Sequence, residues 1–238
     1  MSNAGDRIVA FREHGFFVVP GFVDTAERLP LRRACDEALR RARESALETG
    51  HTTPSISLLG DPRSFERVPG ALEIVAMLVG SARVCALLHG LALPGEEDAP
   101  RVKDVQYFHE QTRRDWDGDW HRDSQFGRPD PEAERTIVQM TTAVHFRIAL
   151  EDDDRLEIVP GSHARWDTPE ELRVRKGAHR TAPMPHGARV VLRAGDACVF
   201  HAWSIHRATY RRDPPRRTLD ALYAFARPAK PRWTLERP

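Results

Sequence analysis

The stretch "DACVFHAWSIHRATY", residues 196–210, decides which class of fold the sequence can adopt. It is rich in β-branched and aromatic residues and follows a glycine turn, a pattern typical of strands. Similar short runs, separated by Gly, Pro or Asp turns, are "RVKDVQYFHEQ" (101–111), "TTAVHFRIALE" (141–151), "LEIVPGSH" (156–163), "ARVVLRAG" (188–195) and "RRTLDALYAFA" (216–226). Several strands without intervening helices predict an antiparallel sandwich or closed barrel of jelly-roll type.

The residues before this β-rich part have a helical pattern. Residues 25–48 carry leucines and alanines at helical spacing in a charged stretch, with Asp24 or Thr25 as a candidate N-cap. We expect Pro30 to lie in the first turn of this helix or to break it. The segment "ALEIVAMLVGSARVCALLHGL" (71–91) predicts one or two buried helices with a break near Gly80, and "GDRIVAFREHGFFVVPGF" (5–22) predicts a short helix followed by a strand.

The length and composition suit one sizeable domain, because the chain has 238 residues of which 40% are hydrophobic. We predict a single domain over residues 1–238, with an all-β core (about 100–227) and N-terminal helices (about 1–95) packed on one of its sheets, an α+β arrangement. Two polar, proline-bearing segments, 127–137 and 164–188, are predicted to be lids or rim loops over the mouth of the barrel.

The charge balance and the cysteines argue against several classes of partner. Lys and Arg number 36 against 35 Asp and Glu, so there is no basic excess for binding nucleic acid. No stretch approaches the roughly 18 apolar residues of a membrane span, and the N-terminus has no apolar run of signal length. Cys35, Cys85 and Cys198 are far apart and form no CxxC pair, so we expect a cytoplasmic protein without disulfides.

The segment "GDWHRDSQFG" (118–127) contains a candidate metal site. His121 and Asp123 are two residues apart, so in an extended chain both side chains point to the same face. A third ligand is needed, and His201 and His206 stand out because they lie in an apolar run. They are five residues apart, so on one continuous strand only one of them can join the cluster. Two histidines and one carboxylate suit non-haem Fe(II), which keeps open positions for a cosubstrate and oxygen.

An iron site of this kind also needs a fixed cation for the far carboxylate of a keto acid. Arginine suits this role because it is always charged and pairs with carboxylates in a bidentate manner. Arg216 and Arg217 lie at the start of the last predicted strand. In an antiparallel sheet, that strand would pair with the preceding one and could bring an arginine back to the site.

Four segments in this order, "WHRDS", "LEIVPGSH", "GDACVFHAWSIHRA" and "RRTL", resemble the phytanoyl-CoA dioxygenase family of Fe(II)- and 2-oxoglutarate-dependent oxygenases. The opening "FREHGFFVVPGF" also resembles the N-terminus of that family, so the resemblance covers roughly residues 7–225. The order and spacing of the four segments are more specific than the HxD pair alone.

This resemblance implies a double-stranded β-helix, the cupin-like jelly roll. It implies that His121, Asp123 and His206 are the iron ligands and the catalytic centre, with His201 a histidine that does not bind the metal. It also implies that Arg217 grips the distal carboxylate of 2-oxoglutarate, and that O2 is the second cosubstrate. The chain departs from the family at Arg207 and Ala208, where a Gly-Ser pair usually supplies a hydroxyl to the cosubstrate.

Three further residues are candidates for the pocket. Gln106, on the strand "DVQYF", is a candidate to hydrogen-bond the cosubstrate. His145 and Arg147 alternate along "AVHFRIAL", and we predict that they contact the substrate if their face of the strand lines the barrel. His163 and Trp120 are predicted to have structural roles.

These features predict a non-haem Fe(II)/2-oxoglutarate-dependent dioxygenase that oxidises a C–H bond, with hydroxylation favoured and desaturation, epimerisation or demethylation left open. The retained Asp123 favours hydroxylation or another oxidation over halogenation, because related halogenases lack this carboxylate. The arginines and histidines of 164–188 suggest a polar small molecule as substrate, and we expect a tailoring step in secondary metabolism. Two alternatives stay open: a non-redox, metal-dependent cupin-like enzyme, which needs no keto-acid arginine, and a degenerate binding protein, which would have lost a ligand.

Overall fold

The computed structural model describes residues 3–49, 56–58, 75, 78–94, 96, 99–108, 115–126, 130–211, 213–214 and 216–225. The helices in these ranges are α1 (Ala4–His14), α2 (Thr25–Thr49), α3 (Ala82–Leu88), α4 (Pro131–Met140) and α5 (Pro169–Lys176). The strands are β1 (Phe16–Val19), β2 (Ile56–Leu58), β3 (Arg101–Phe108), β4 (Trp116–Asp117), β5 (Ala143–Ala149), β6 (Asp153–Ile158), β7 (Ala188–Leu192), β8 (Ala197–His201), β9 (His206–Tyr210) and β10 (Thr218–Ala224). Positions 71–74, 76–77, 109–111, 127–129 and 226 of the predicted segments lie outside the described residues.

The strands form two sheets, and each pair of neighbouring strands within a sheet is antiparallel. One has six strands in the order β1-β8-β5-β10-β3-β2, and the other has four in the order β4-β9-β6-β7. Strands distant in sequence lie side by side, so residues from the whole second half of the chain meet on the same faces. The predicted combination of helices with antiparallel sheet is confirmed.

The six-stranded sheet has a different neighbour on each face, as the alternation of side chains along β8 shows. Val199 belongs to a core that includes Leu31 and Leu39 of α2. Cys198 and Phe200 belong to a second core, shared with the four-stranded sheet through Leu156, Ile158, Val190 and Leu192. The helices therefore cover one face of the six-stranded sheet, and the four-stranded sheet covers the other.

Helix α2 continues through Pro30, which neither ends it nor lies in its first turn as the sequence had suggested. Proline removes one backbone donor from the helix interior. The residues just after it, Leu31, Ala34, Cys35 and Ala38, are buried against the sheet, and this packing offsets the lost hydrogen bond. No helix in the part of the chain that the structure describes is both long and apolar enough to cross a membrane.

The two polar insertions each contain a short capped helix. Asp130 accepts hydrogen bonds from the backbone N–H groups of Glu132 and Ala133 at the start of α4. Thr168 and Glu171 form a capping box at the start of α5. In both helices a proline occupies the first turn, where its missing N–H costs nothing. The short edge strand β2 was not predicted from the sequence.

Candidate active site

His121 and His206 lie opposite each other in an isolated antiparallel bridge between their segments. Each backbone N–H donates to the other residue's carbonyl oxygen at 2.9 Å. The bridge brings the two imidazole rings together, with centroids 4.4 Å apart. His206 is the first residue of β9, so the sheet itself fixes its position.

Asp123 completes a cluster of three potential metal ligands. Its Oδ1 lies 3.4 Å from Nε2 of His121 and 3.5 Å from Nε2 of His206. Donor atoms bound to one ion at about 2.1 Å lie roughly 3 Å apart, so a small contraction of these distances would accommodate a metal. Among the residues that the structure describes, these three form the group of histidine, cysteine and acidic side chains whose donor atoms converge.

The histidine nitrogens that face away from the cluster are held by backbone carbonyls. Nδ1 of His121 donates to the carbonyl of Asp119 at 2.7 Å, and Nδ1 of His206 donates to that of Ser204 at 2.9 Å. With the proton on Nδ1, the Nε2 lone pair points into the cluster, as in most metal-binding histidines. Burial and the adjacent His121 lower the pKa of His206 to about 3, so this ring stays neutral and able to bind a metal.

The second oxygen of Asp123 is bound by His145, on β5. His145 Nε2 lies 2.6 Å from Asp123 Oδ2, and its Nδ1 lies 2.6 Å from Oδ1 of Asp220, on β10. Although burial opposes it, Asp220 and Asp123 raise the pKa of His145 to about 9, so both ring nitrogens donate. Burial also opposes ionisation of Asp123, but the surrounding histidines, with the hydrogen bond that His145 donates to Oδ2, hold the pKa of Asp123 well below the usual range.

Two buried guanidinium groups lie on the same interior face of the sheet. Arg147 donates through Nε to Oδ2 of Asp220 at 2.7 Å, and Arg216 donates through Nη2 to Oδ2 of Asp153 at 2.9 Å. Both guanidinium groups lie over the ring of Phe108, at 4.9 and 4.8 Å from its centroid. Among the described residues, neither Nη1 group has a hydrogen-bond partner, so two buried donors remain available to an anion.

Arg217 lies on the opposite face of the last strand. Its Nε is 2.8 Å from Oδ1 of Asp36, on α2, an oxygen that also accepts a hydrogen bond from the hydroxyl of Tyr107. Neighbouring residues of an extended chain point to opposite faces, so Arg216 and Arg217 cannot both enter the interior. The structure brings Arg216, and not Arg217, to the face that carries the histidines. This differs from the role that the family resemblance implied for Arg217.

The structure also places the remaining candidates. Gln106 is paired in register with Asp220 and donates to Oδ2 of Asp104 at 2.9 Å. His201 lies away from the cluster, stacked on Phe11 of α1 with ring centroids 5.7 Å apart. Beside the cluster, the 64% exposed Phe126 lies 5.3 Å from the ring of His121.

The sequence matches a family model over residues 11–218, and that model describes the phytanoyl-CoA dioxygenase (PhyH) family. The chain belongs to this family. Phytanoyl-CoA dioxygenase-like proteins are non-haem iron enzymes that use 2-oxoglutarate and O2, so the chain is an oxidoreductase with these cofactors. Comparison with curated protein sequences gave no significant match.

Several solved structures are similar to this phytanoyl-CoA dioxygenase family member in fold. The epimerase SnoN, in complex with Fe3+, alpha ketoglutarate and nogalamycin RO, is 21% identical, with a TM-score of 0.61 over 94% of this chain and 86% of that one. EctD from S. alaskensis, with 2-oxoglutarate and 5-hydroxyectoine, is 18% identical, with a TM-score of 0.65 over 94% and 76%. The carbocyclase SnoK from nogalamycin biosynthesis is 17% identical, with a TM-score of 0.60 over 100% and 96%.

Proposed function

We propose that this chain is an Fe(II)/2-oxoglutarate-dependent dioxygenase that hydroxylates a C–H bond of a polar small molecule in secondary metabolism. The observation that carries the proposal is the convergence of His121 Nε2, Asp123 Oδ1 and His206 Nε2 at one point. Two neutral imidazoles and one carboxylate are the donor set of non-haem iron oxygenases. None of the three is replaced, which weighs against a degenerate binding protein.

The fit of iron to these residues follows from the chemistry of the donors. Nδ1 of each histidine is already bound to a carbonyl, and Oδ2 of Asp123 is bound to His145. Each residue therefore offers one atom, which leaves part of the coordination sphere for the cosubstrate and O2. When bound, the ferrous ion with 2-oxoglutarate supplies the activation of O2 that breaks a C–H bond.

The cosubstrate pocket lies where Arg147 and Arg216 present their unpartnered Nη1 groups. Two buried donors without acceptors carry a desolvation cost, which an entering carboxylate would remove. Asp220 and Asp153 hold the two guanidinium groups in place before the cosubstrate arrives. We therefore assign the distal carboxylate of 2-oxoglutarate to Arg216, with Arg147 beside it, in place of Arg217. This pocket also favours the oxygenase over a non-redox cupin-like enzyme, which needs no such cation.

His145 orients the iron ligand Asp123. It occupies Oδ2, so Oδ1 alone faces the two histidines. The predicted substrate contact of His145 therefore gives way, in this proposal, to a positioning role. Gln106 remains a candidate at the edge of the cosubstrate pocket.

The two-sheet arrangement supports a double-stranded β-helix, with the site between the sheets and the N-terminal helices outside. We propose a small-molecule substrate and a cytoplasmic location. The solved neighbours SnoN and EctD were crystallised with nogalamycin RO and 5-hydroxyectoine, respectively. Near His121, the exposed Phe126 offers an apolar contact, and the partly exposed ion pair between Arg180 and Asp119, at 2.9 Å, offers a polar one. We place the substrate there.

The proposal is tested by succinate formation from 2-oxoglutarate in air with Fe(II), before any substrate is known. A slow, iron-dependent release of succinate is expected from the wild-type protein, and a polar natural-product library would then be screened for compounds that accelerate it. His206→Ala is the matched control and should give none. Equal succinate release by both proteins would overturn the proposal.

A further inference from the structure

The metal-ligand segment sends its alternate side chains in two directions. His121 and Asp123 face the cluster, whereas Arg122, between them, is fully buried on the other side. A buried guanidinium is costly unless it is paired and its hydrogen bonds are satisfied. Its partners therefore show what this position is built to hold.

Arg122 binds four groups that belong to two different parts of the chain, residues 162–167 and Trp203. Its Nε donates to Oδ1 of Asp167 at 2.8 Å, and its Nη2 donates to the carbonyl of Arg165 at 3.2 Å. Its Nη1 donates to the carbonyl of Ser162 at 2.8 Å and also to that of Trp203. Trp203 lies three residues before His206, so one guanidinium connects the segment of His121 and Asp123 with the segment that carries the third ligand.

Asp167 also binds a second buried arginine. Its Oδ2 accepts from Nε of Arg175 at 2.7 Å. Nη1 of Arg175 donates to Gln125 at 2.8 Å and to Glu134, on α4, at 2.6 Å. The ring of Trp166 lies beside both guanidinium groups, with Arg122 at 5.6 Å and Arg175 at 5.4 Å from its centroid.

The insertion 164–188 also contacts the metal-ligand segment through the backbone. The Trp120 N–H donates to the carbonyl of Arg180, and its indole Nε1 donates to that of Ala182, both at 2.9 Å. The insertion was predicted from the sequence to be a lid or rim loop. Its contacts place residues 165–182 beside the metal-ligand segment, from Trp120 to Gln125, and the lid or rim role stays a prediction.

We propose that Arg122 is a positioning residue for the iron centre. Through Asp167 and the Trp203 carbonyl, it fixes the positions of the three metal ligands relative to one another. This inference rests on the proposed iron site. All three nitrogens of the Arg122 guanidinium are hydrogen-bonded, and a satisfied buried network of this kind is rigid. Its loss should allow the two ligand segments to move relative to each other. Residues behind metal ligands commonly alter metal affinity by roughly 10- to 100-fold when they are replaced.

The test is an anaerobic titration with Fe(II) alone, together with the visible spectrum of the Co(II)-loaded protein, for wild type, Arg122→Met and Arg122→Lys. We expect Arg122→Met to weaken Fe(II) binding at least about tenfold and to change the Co(II) spectrum. Lysine keeps the charge but cannot reach several acceptors at once, so an intermediate loss is expected. The control, Arg173→Met, removes an exposed guanidinium from the same insertion, one that is paired with the exposed Glu170, and should leave both readouts unchanged.

The outcomes separate this inference from the proposed function. If the wild-type protein binds no Fe(II), the iron site itself is wrong. If the wild type binds Fe(II) and Arg122→Met matches it in affinity and spectrum, the positioning role is overturned. Should circular dichroism show that Arg122→Met does not fold, Arg122→Lys decides: wild-type affinity and spectrum in that variant would equally overturn the proposal.

Discussion

His145 Nε2 and Asp123 Oδ2 are joined by a hydrogen bond of 2.6 Å, which turns the other oxygen of Asp123 toward His121 and His206. This contact links the metal cluster to the interior of the six-stranded sheet, because His145 also binds Asp220, and Asp220 in turn binds Arg147. The orientation of a proposed iron ligand therefore depends on the same strands that carry the proposed cosubstrate pocket.

Replacement of His145 by phenylalanine should weaken Fe(II) binding at least about tenfold, because Asp123 loses the donor that fixes its orientation. Anaerobic calorimetry measures this change. The control is His201→Phe, a buried histidine in the aromatic contact with Phe11, which should bind Fe(II) as the wild type does. Equal losses in both variants would mean that His145 has no specific role at the metal.

Replacement of Arg216 by glutamine should raise the Kd for 2-oxoglutarate by roughly 30-fold, about 2 kcal/mol, because a desolvated charge pair is lost. Arg217→Gln should leave this Kd unchanged and only reduce stability, since its partner is Asp36 on α2. Calorimetry with Fe(II)-loaded protein distinguishes the two. The reverse pattern would restore the assignment to Arg217.

The stability of the metal-free protein should depend on pH through Asp220. Burial opposes its ionisation, but His145 and Arg147 lower the pKa of Asp220 to about 2. A carboxylate whose pKa is depressed in the folded state stabilises the folded protein at pH values above its unfolded-state pKa. This stabilisation is lost as the pH falls toward the folded-state pKa. The destabilisation caused by Asp220→Asn, measured by urea unfolding, should therefore be about 1 kcal/mol smaller at pH 3 than at pH 6. A destabilisation that does not change with pH would argue against an ionised Asp220.

Metal binding should stabilise the folded protein. A ligand at 100 times its Kd adds about 2.7 kcal/mol when it binds only the native state. We expect Fe(II) under anaerobic conditions to raise the Tm of the wild type and to leave that of His206→Ala unchanged. An equal rise in both proteins would indicate that the metal binds elsewhere.

The residues alone predicted the antiparallel strands and the pairing of His121 with Asp123, and the family resemblance selected His206 over His201 as the third ligand. The HxD spacing is local, and the turns around "DACVFHAWSIHRATY" define the strands that carry the distal histidine. The sequence could not show whether Arg216 or Arg217 faces the interior. A shift of one residue in the strand register moves a side chain to the other face of the sheet. The partners of Arg122 were equally inaccessible, since Asp167 is 45 residues away and meets it only in the folded chain.

In the proposed site, the histidine–aspartate cluster binds Fe(II) and the adjacent arginines bind 2-oxoglutarate. The most direct measurement is an anaerobic titration of the metal-free protein with Fe(II) and then 2-oxoglutarate, followed by visible absorption. We expect a metal-to-ligand charge-transfer band in the wild type and in Arg217→Gln, weakened in Arg216→Gln and absent in His121→Ala. A wild-type protein that binds Fe(II) but develops no band with 2-oxoglutarate would contradict the proposed 2-oxoglutarate site.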